Sequence, residues 1–177
     1  SDGQVLTSTG SGVGWEDASS GATDINGLSD AKTFGTSSIM LGDATTGTID
    51  AANYNTGLGV DIFAALTTGD SNTAVGFSSL TATTTGTGNV AVGATSLDAN
   101  TTGEYNTAVG ANSAGLNTTG AGNVAVGSGA YAAGTTGSHN VTVGTSSLGA
   151  NTTGHSNVVM GHNAMDACTT GHSNVAV

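Results

Sequence analysis

From Asn55 onward the chain alternates short apolar triplets with polar, glycine-marked stretches, and the alternation has a fixed period. Asn55, Asn72, Asn89, Asn106, Asn123, Asn140, Asn157 and Asn174 are spaced by 17 residues, and each opens a similar phrase: NTGLG, NTAVG, NVAVG, NTAVG, NVAVG, NVTVG, NVVMG and NVAV. A repeat of this length is the mark of a stacked, quasi-one-dimensional architecture. Numbering each unit from its Asn, position 2 is Thr or Val, position 3 is mostly small, and position 4 is Leu, Val or Met. Period-two alternation rich in β-branched residues predicts a strand at positions 2–4.

Two glycines recur in every complete unit. Position 5 holds Gly59, Gly76, Gly93, Gly110, Gly127, Gly144 and Gly161, and position 15 holds Gly69, Gly86, Gly103, Gly120, Gly137, Gly154 and Gly171. Two fixed glycines predict two fixed bends, because Gly accepts positive φ and close backbone approach. A second strand is expected at positions 8–11, anchored at position 9 by Phe63, Leu80, Leu97, Tyr131, Leu148 and Met165, with Ala114 compensated by Leu116. Each unit therefore reads as strand, turn, strand, turn.

Such a unit cannot fold alone. Burying two or three aliphatic side chains returns roughly 1.5–3 kcal/mol each, whereas ordering the backbone costs about 1–2 kcal/mol per residue. Stacking supplies the difference by giving every strand a parallel neighbour at about 4.8 Å on either side. Equivalent residues then form columns. The Asn column is expected to hydrogen-bond amide to amide along the axis and to satisfy turn backbone. Asn100, Asn117, Asn140 and Asn151 lie in Asn-x-Ser/Thr sequons, which a repetitive Asn-Thr-Thr turn generates by construction.

The strand is apolar on both faces, and a single two-sheet roll buries only one. The other needs a second surface, which identical chains around one axis would provide. Val75, Val92, Val109, Val126 and Val143, with their position-2 neighbours, are expected to fill the roll, leaving the Ala/Gly face for close approach of chains; the alternation by itself admits the reverse.

Composition narrows the function classes. Charged residues make up 7% and aromatics 4%, so stability must come from backbone pairing and small-residue packing. The net charge is −11 and Lys32 is the only Lys or Arg, which leaves nothing to neutralise nucleic-acid phosphates or an anionic lipid surface. Nucleic-acid binding and membrane insertion are not expected, and the acidity reads as protection against aggregation of a strand-forming surface. Cys168 has no cysteine partner within the chain and is expected to be a small buried thiol.

The phrases NTAVG-x-x-S-L from Asn72 and NVAVG-x-x-S-L from Asn89 resemble the NSVAIG-x-x-S/A repeats of YadA-like heads in trimeric autotransporter adhesins. The resemblance implies an all-β fold, a left-handed parallel β-roll or β-solenoid, and a homotrimer. The present unit is longer, with the extra residues around Thr-Thr-Gly. Residues 55–177 are also similar to repeats of phage and other viral tail-fibre proteins. Gly3-Gln4-Val5-Leu6-Thr7-Ser8, followed by Gly12-Val13-Gly14-Trp15, looks like a GQVLTS-x-G-x-G-x-x-W segment of tail fibres, and Ile25-Asn26-Gly27-Leu28-Ser29-Asp30-Ala31 has a similar character. That organisation implies an N-terminal fibre segment over 1–37 with short strands, a degenerate capping coil over 38–54, and a β-roll over 55–177 within a longer chain.

Candidate chemistry is sparse. His155 and His172 share position 16 and should stack one rung apart, with His139 one position along; this column is the candidate metal site. No Ser, His and acid meet at a unique, unrepeated place, so no catalysis and no cofactor are expected. Thr-Thr pairs from Thr67-Thr68 to Thr169-Thr170 raise ice binding, and Tyr105 and Tyr131 raise glycan binding. The sequence is best read as a non-enzymatic fibre segment, shaft or host-recognition arm, on a virion outside the cell, with the head of a bacterial surface adhesin as the alternative. Expected partners are its own copies, other fibre or tail proteins, and a host cell-surface glycan or protein.

Overall fold

The computed structural model describes the backbone of residues 4–8, 13–17 and 31–34, and the full structure of residues 38–41 and 51–177. The phrase from Ile25 to Asp30, Gly42, and the side chains of Val5, Leu6, Val13 and Trp15 lie outside the described residues. Strands β1 (Gln4–Ser8) and β2 (Val13–Asp17) form an antiparallel pair with Leu6 opposite Trp15.

A second sheet contains ten strands. It begins with β3 (Ala31–Phe34), antiparallel to β4 (Ser38–Leu41). From β4 onward every pairing is parallel: β5 (Thr56–Leu58), β6 (Thr73–Val75), β7 (Val90–Val92), β8 (Thr107–Val109), β9 (Val124–Val126), β10 (Val141–Val143), β11 (Val158–Met160) and β12 (Val175–Ala176) follow in spatial order. Ile39, Thr56, Thr73, Val90, Thr107, Val124, Val141, Val158 and Val175 lie in one line across the sheet, each 17 residues from the last. The chain is a parallel β-solenoid of 17-residue coils, and no helix occurs among the described residues.

The coil differs from the sequence expectation on its far side, where positions 8–11 form turns and not a strand. The cause is local. Positions 7 and 9 both adopt left-handed backbone, as at Ser78 (φ 53°) and Leu80 (φ 52°), or Thr95 (φ 54°) and Leu97 (φ 49°). Alternating the sign of φ curls the segment instead of extending it. A bulky residue there costs about 1 kcal/mol, offset by hydrogen bonds to the next coil such as Leu80 N to Ser96 O (3.2 Å) and Ala82 N to Asp98 O (3.1 Å). This explains why position 9 is Phe, Leu, Ala, Tyr or Met and never β-branched.

The curled wall also decides which strand face is inside. Position 3 points into the coil: Ala74, Ala91, Ala108 and Ala125 are fully buried, together with Phe63, Leu80, Leu97, Tyr131 and Leu148 of position 9. The valines of position 4 point out. This reverses the expectation that the branched residues fill the roll. At Gly57 the space is already taken, since a β-carbon there would meet the Ile62 side chain and sit 3.2 Å from the Phe63 ring and 3.3 Å from Met40 Cγ, whereas Thr142 and Val159 are accommodated at position 3 of later coils. Nor does Leu116 compensate for Ala114, since Leu116 is 55% exposed; the rung after Ala114 instead carries Tyr131, the largest fully buried side chain among the described residues.

The two glycines serve different needs. Position 5 combines a φ of +125° to +147° with close stacking, and a β-carbon on Gly76 would lie 2.7 Å from the Gly93 carbonyl. Position 15 has no positive φ; there a side chain would strike the glycine carbonyl of the next coil.

Candidate functional site

Two internal columns carry asparagine. In the first, at position 1, a side chain in the middle of the column bonds in three directions. The Asn106 amide donates to Gly120 O (2.8 Å) and to Asn89 Oδ1 (3.1 Å), while Asn106 Oδ1 accepts from the backbone N of Asn123 (2.9 Å) and from its side-chain amide (3.1 Å). The same backbone-to-Oδ1 bond links every pair from Asn55–Asn72 to Asn157–Asn174, at 2.9–3.1 Å. At the start of the column Ser38 takes the place of Asn, its Oγ accepting from Asn55 N (2.9 Å).

The second column, at position 12, is broken. Asn100 and Asn117 follow the pattern, the Asn117 amide donating to Asn100 Oδ1 and to Gly120 O, both at 3.0 Å. The next coil has Gly134, and the Tyr131 ring occupies the place of the missing side chain. Its phenol oxygen accepts from the Asn140 amide (3.1 Å). Burial pushes the Tyr131 hydroxyl up to about 12, with that hydrogen bond acting in the opposite direction. On either side of the break, Asn117 Oδ1 and both polar atoms of Asn151 are buried without a hydrogen-bond partner. Asn100, Asn117, Asn140 and Asn151 are all fully buried, so in the folded chain no oligosaccharide fits on these four sequon asparagines.

The first threonine of each Thr-Thr pair is committed to stacking: Thr67, Thr84, Thr101, Thr118, Thr135 and Thr152 donate to the position-13 carbonyl of the next coil at 3.0–3.1 Å. The second, from Thr68 to Thr170, is exposed. One outward column of threonines remains, narrower than the paired array a flat ice-binding face would need. For glycan contact, Tyr105 is 67% exposed and Tyr131 is fully buried, which takes Tyr131 out of that role.

The outward strand face is an uncommitted surface. Positions 2 and 4 run across β4–β12 as two parallel lines of Thr, Val, Ile, Leu and Met with no charged residue. Leu58 is 53% exposed and Met160 44%, while Val75, Val92 and Val126 are half-buried. Val60 and Phe77 extend the strip at position 6. Nine rungs at about 4.8 Å make it roughly 38 Å long, and contiguous exposed apolar surface of this kind marks interaction sites.

Among ionisable groups, burial raises the Asp98 carboxyl above its ordinary 3.8, against hydrogen bonds from the backbone of Asp98 and Ala99. The rings of His155 and His172 stack with centroids 5.0 Å apart and planes within 4°. His139 does not join them; its ring lies back over Gly122, and a β-carbon there would be 3.1 Å from it. Among the described residues no three His, Cys, Asp or Glu side chains are grouped to hold a metal ion. Cys168 is a half-buried free thiol packed against the core. Comparisons with protein families, with curated proteins and with solved structures give no match for this chain.

Proposed function

We propose that the chain is a non-enzymatic structural segment of an extracellular fibre, the shaft or host-recognition arm of a phage tail fibre, working as a homotrimer of left-handed solenoids. The observation that carries the reading is the uncharged apolar strip across β4–β12. A globular partner would meet only a few of its rungs. A partner that matches knobs and grooves at one rung spacing along the whole length is another solenoid of the same spacing, and a second copy is the simplest such surface. The tail-fibre resemblance of residues 3–15 supports the virion setting, and a stiff rod carrying identical chains supports reach and multivalent presentation.

The test is mass in solution by light scattering. The full chain is expected at three times 16.8 kDa. Val109→Asp with Val126→Asp, placing charges at the centre of the strip, is expected to yield monomers that retain their β-type circular dichroism. A wild-type chain that is monomeric at micromolar concentration would overturn the assembly reading.

A further inference from the structure

We propose that His155 and His172 form a two-imidazole chelate for a divalent transition metal ion of the copper or nickel type, clasping the coil of Asn140 to the coil of Asn157 on the solenoid exterior. The inference is independent of the fibre reading. Position 16 lies on an exposed turn, and both histidines are exposed there. Stacking holds their rings parallel at 5.0 Å, one rung apart. An imidazole nitrogen binds such an ion at about 2.0–2.1 Å, so two nitrogens on one ion stand at most about 4 Å apart. Turning the two exposed rings toward each other brings their nitrogens into that range.

His155 Nδ1 lies 3.3 Å from Ser156 Oγ, which leaves Nε2 as the nitrogen for the metal. The rest of the coordination sphere stays open to solvent, as suits an ion that accepts tetragonal nitrogen and water ligands. The other two histidines are placed elsewhere. His139 leans over Gly122, and His162, at position 6 beyond the strand, lies 3.1 Å from the Asn163 amide nitrogen.

The ion would join coils through side chains, and hydrogen exchange is the matching structural readout. The amide of Ser173 donates to His155 O (3.0 Å), so its protection reports whether these coils stay together. The full chain should be titrated at neutral pH with Cu2+ and Ni2+ by calorimetry, with electron paramagnetic resonance on the copper form. One ion per chain, two coordinated nitrogens, and increased protection of the Ser173 amide are expected. His155→Ala and His172→Ala should each weaken binding about a hundredfold, as loss of one arm of a chelate does, while His139→Ala and His162→Ala should leave it unchanged. Alanine is compatible with the fold at this position, since Ala121 occupies it in another coil. Absence of binding, a copper signal with a single nitrogen, or equal losses in all four variants would overturn the proposal.

Discussion

The two asparagine columns run side by side through the same solenoid, and they behave differently. At position 1 the side chain completes the backbone: its oxygen takes the amide of the next Asn, and its nitrogen takes the glycine carbonyl at position 15. At position 12 the side chain reaches the same glycine carbonyl, which Asn106 already serves in the case of Gly120. The first column closes a hydrogen bond nothing else can close, and the second duplicates one. That difference explains why Asn opens every coil, while position 12 also accepts Leu66, Thr83, Gly134 and Cys168.

Substitution in the two columns should separate them. Asn106→Ala strands the buried backbone amide of Asn123 and removes three further bonds, and is expected to destabilise by about 3 kcal/mol, since each buried unpartnered group costs about 1–3 kcal/mol. Asn117→Ala, against the same Gly120, should cost about 1 kcal/mol, because that carbonyl keeps its other donor and removal of the partnerless Asn117 Oδ1 offsets the bond lost to Asn100 Oδ1. Denaturant unfolding of the two variants measures the gap, and equal losses would dissolve the distinction.

Repairing the broken column is the next test. Gly134→Asn alone should destabilise, because its first side-chain atom meets the Tyr131 ring. Combined with Tyr131→Leu it copies the Leu97 and Asn100 arrangement of a regular coil and gives partners to Asn117 Oδ1 and Asn151 Nδ2. The double variant is expected to gain about 1–2 kcal/mol over wild type, read from the unfolding midpoint.

The remaining effect shows only at alkaline pH. The Tyr131 hydroxyl titrates near 10.0 in the unfolded chain and at about 12 in the fold, so above pH 10 the unfolded state loses its proton first. Its contribution is complete below pH 10 and declines between pH 10 and 12. Tyr131→Phe should remove that decline from a pH series of melting temperatures.

The seven acidic residues of positions 1–50 and the five of 51–177 show how little charge the solenoid uses. Its order rests on backbone bonds between coils and on columns of small side chains. Much of this was legible beforehand. The 17-residue spacing fixed which residues stack, and the parallel register follows it from Ile39 to Val175. The His155–His172 stack and the amide-to-amide Asn ladder were likewise visible as equal positions in successive units.

The differences share one origin. The apolar anchor at position 9 suggests a strand over positions 8–11, yet the signal against it is in the sequence: Asp, Ser, Asn or Gly at most position-7 sites, and no β-branched residue at position 9. Left-handed backbone at Ser78 and Leu80 curls that wall inward, and the residue facing it from position 3 is small in most coils, as at Ala91.

The sequence by itself determined the period, the register and the places where glycine must stand, because each of these is a property of one unit repeated. Which face of the strand is core, and what fills the gap at Gly134 in the second asparagine column, depended on how the side chains of a coil meet in space. At Gly57 the Ile62 and Phe63 side chains of the other wall fill the coil, and at Gly134 the Tyr131 ring takes the vacant place; no alternation along the chain encodes such contacts.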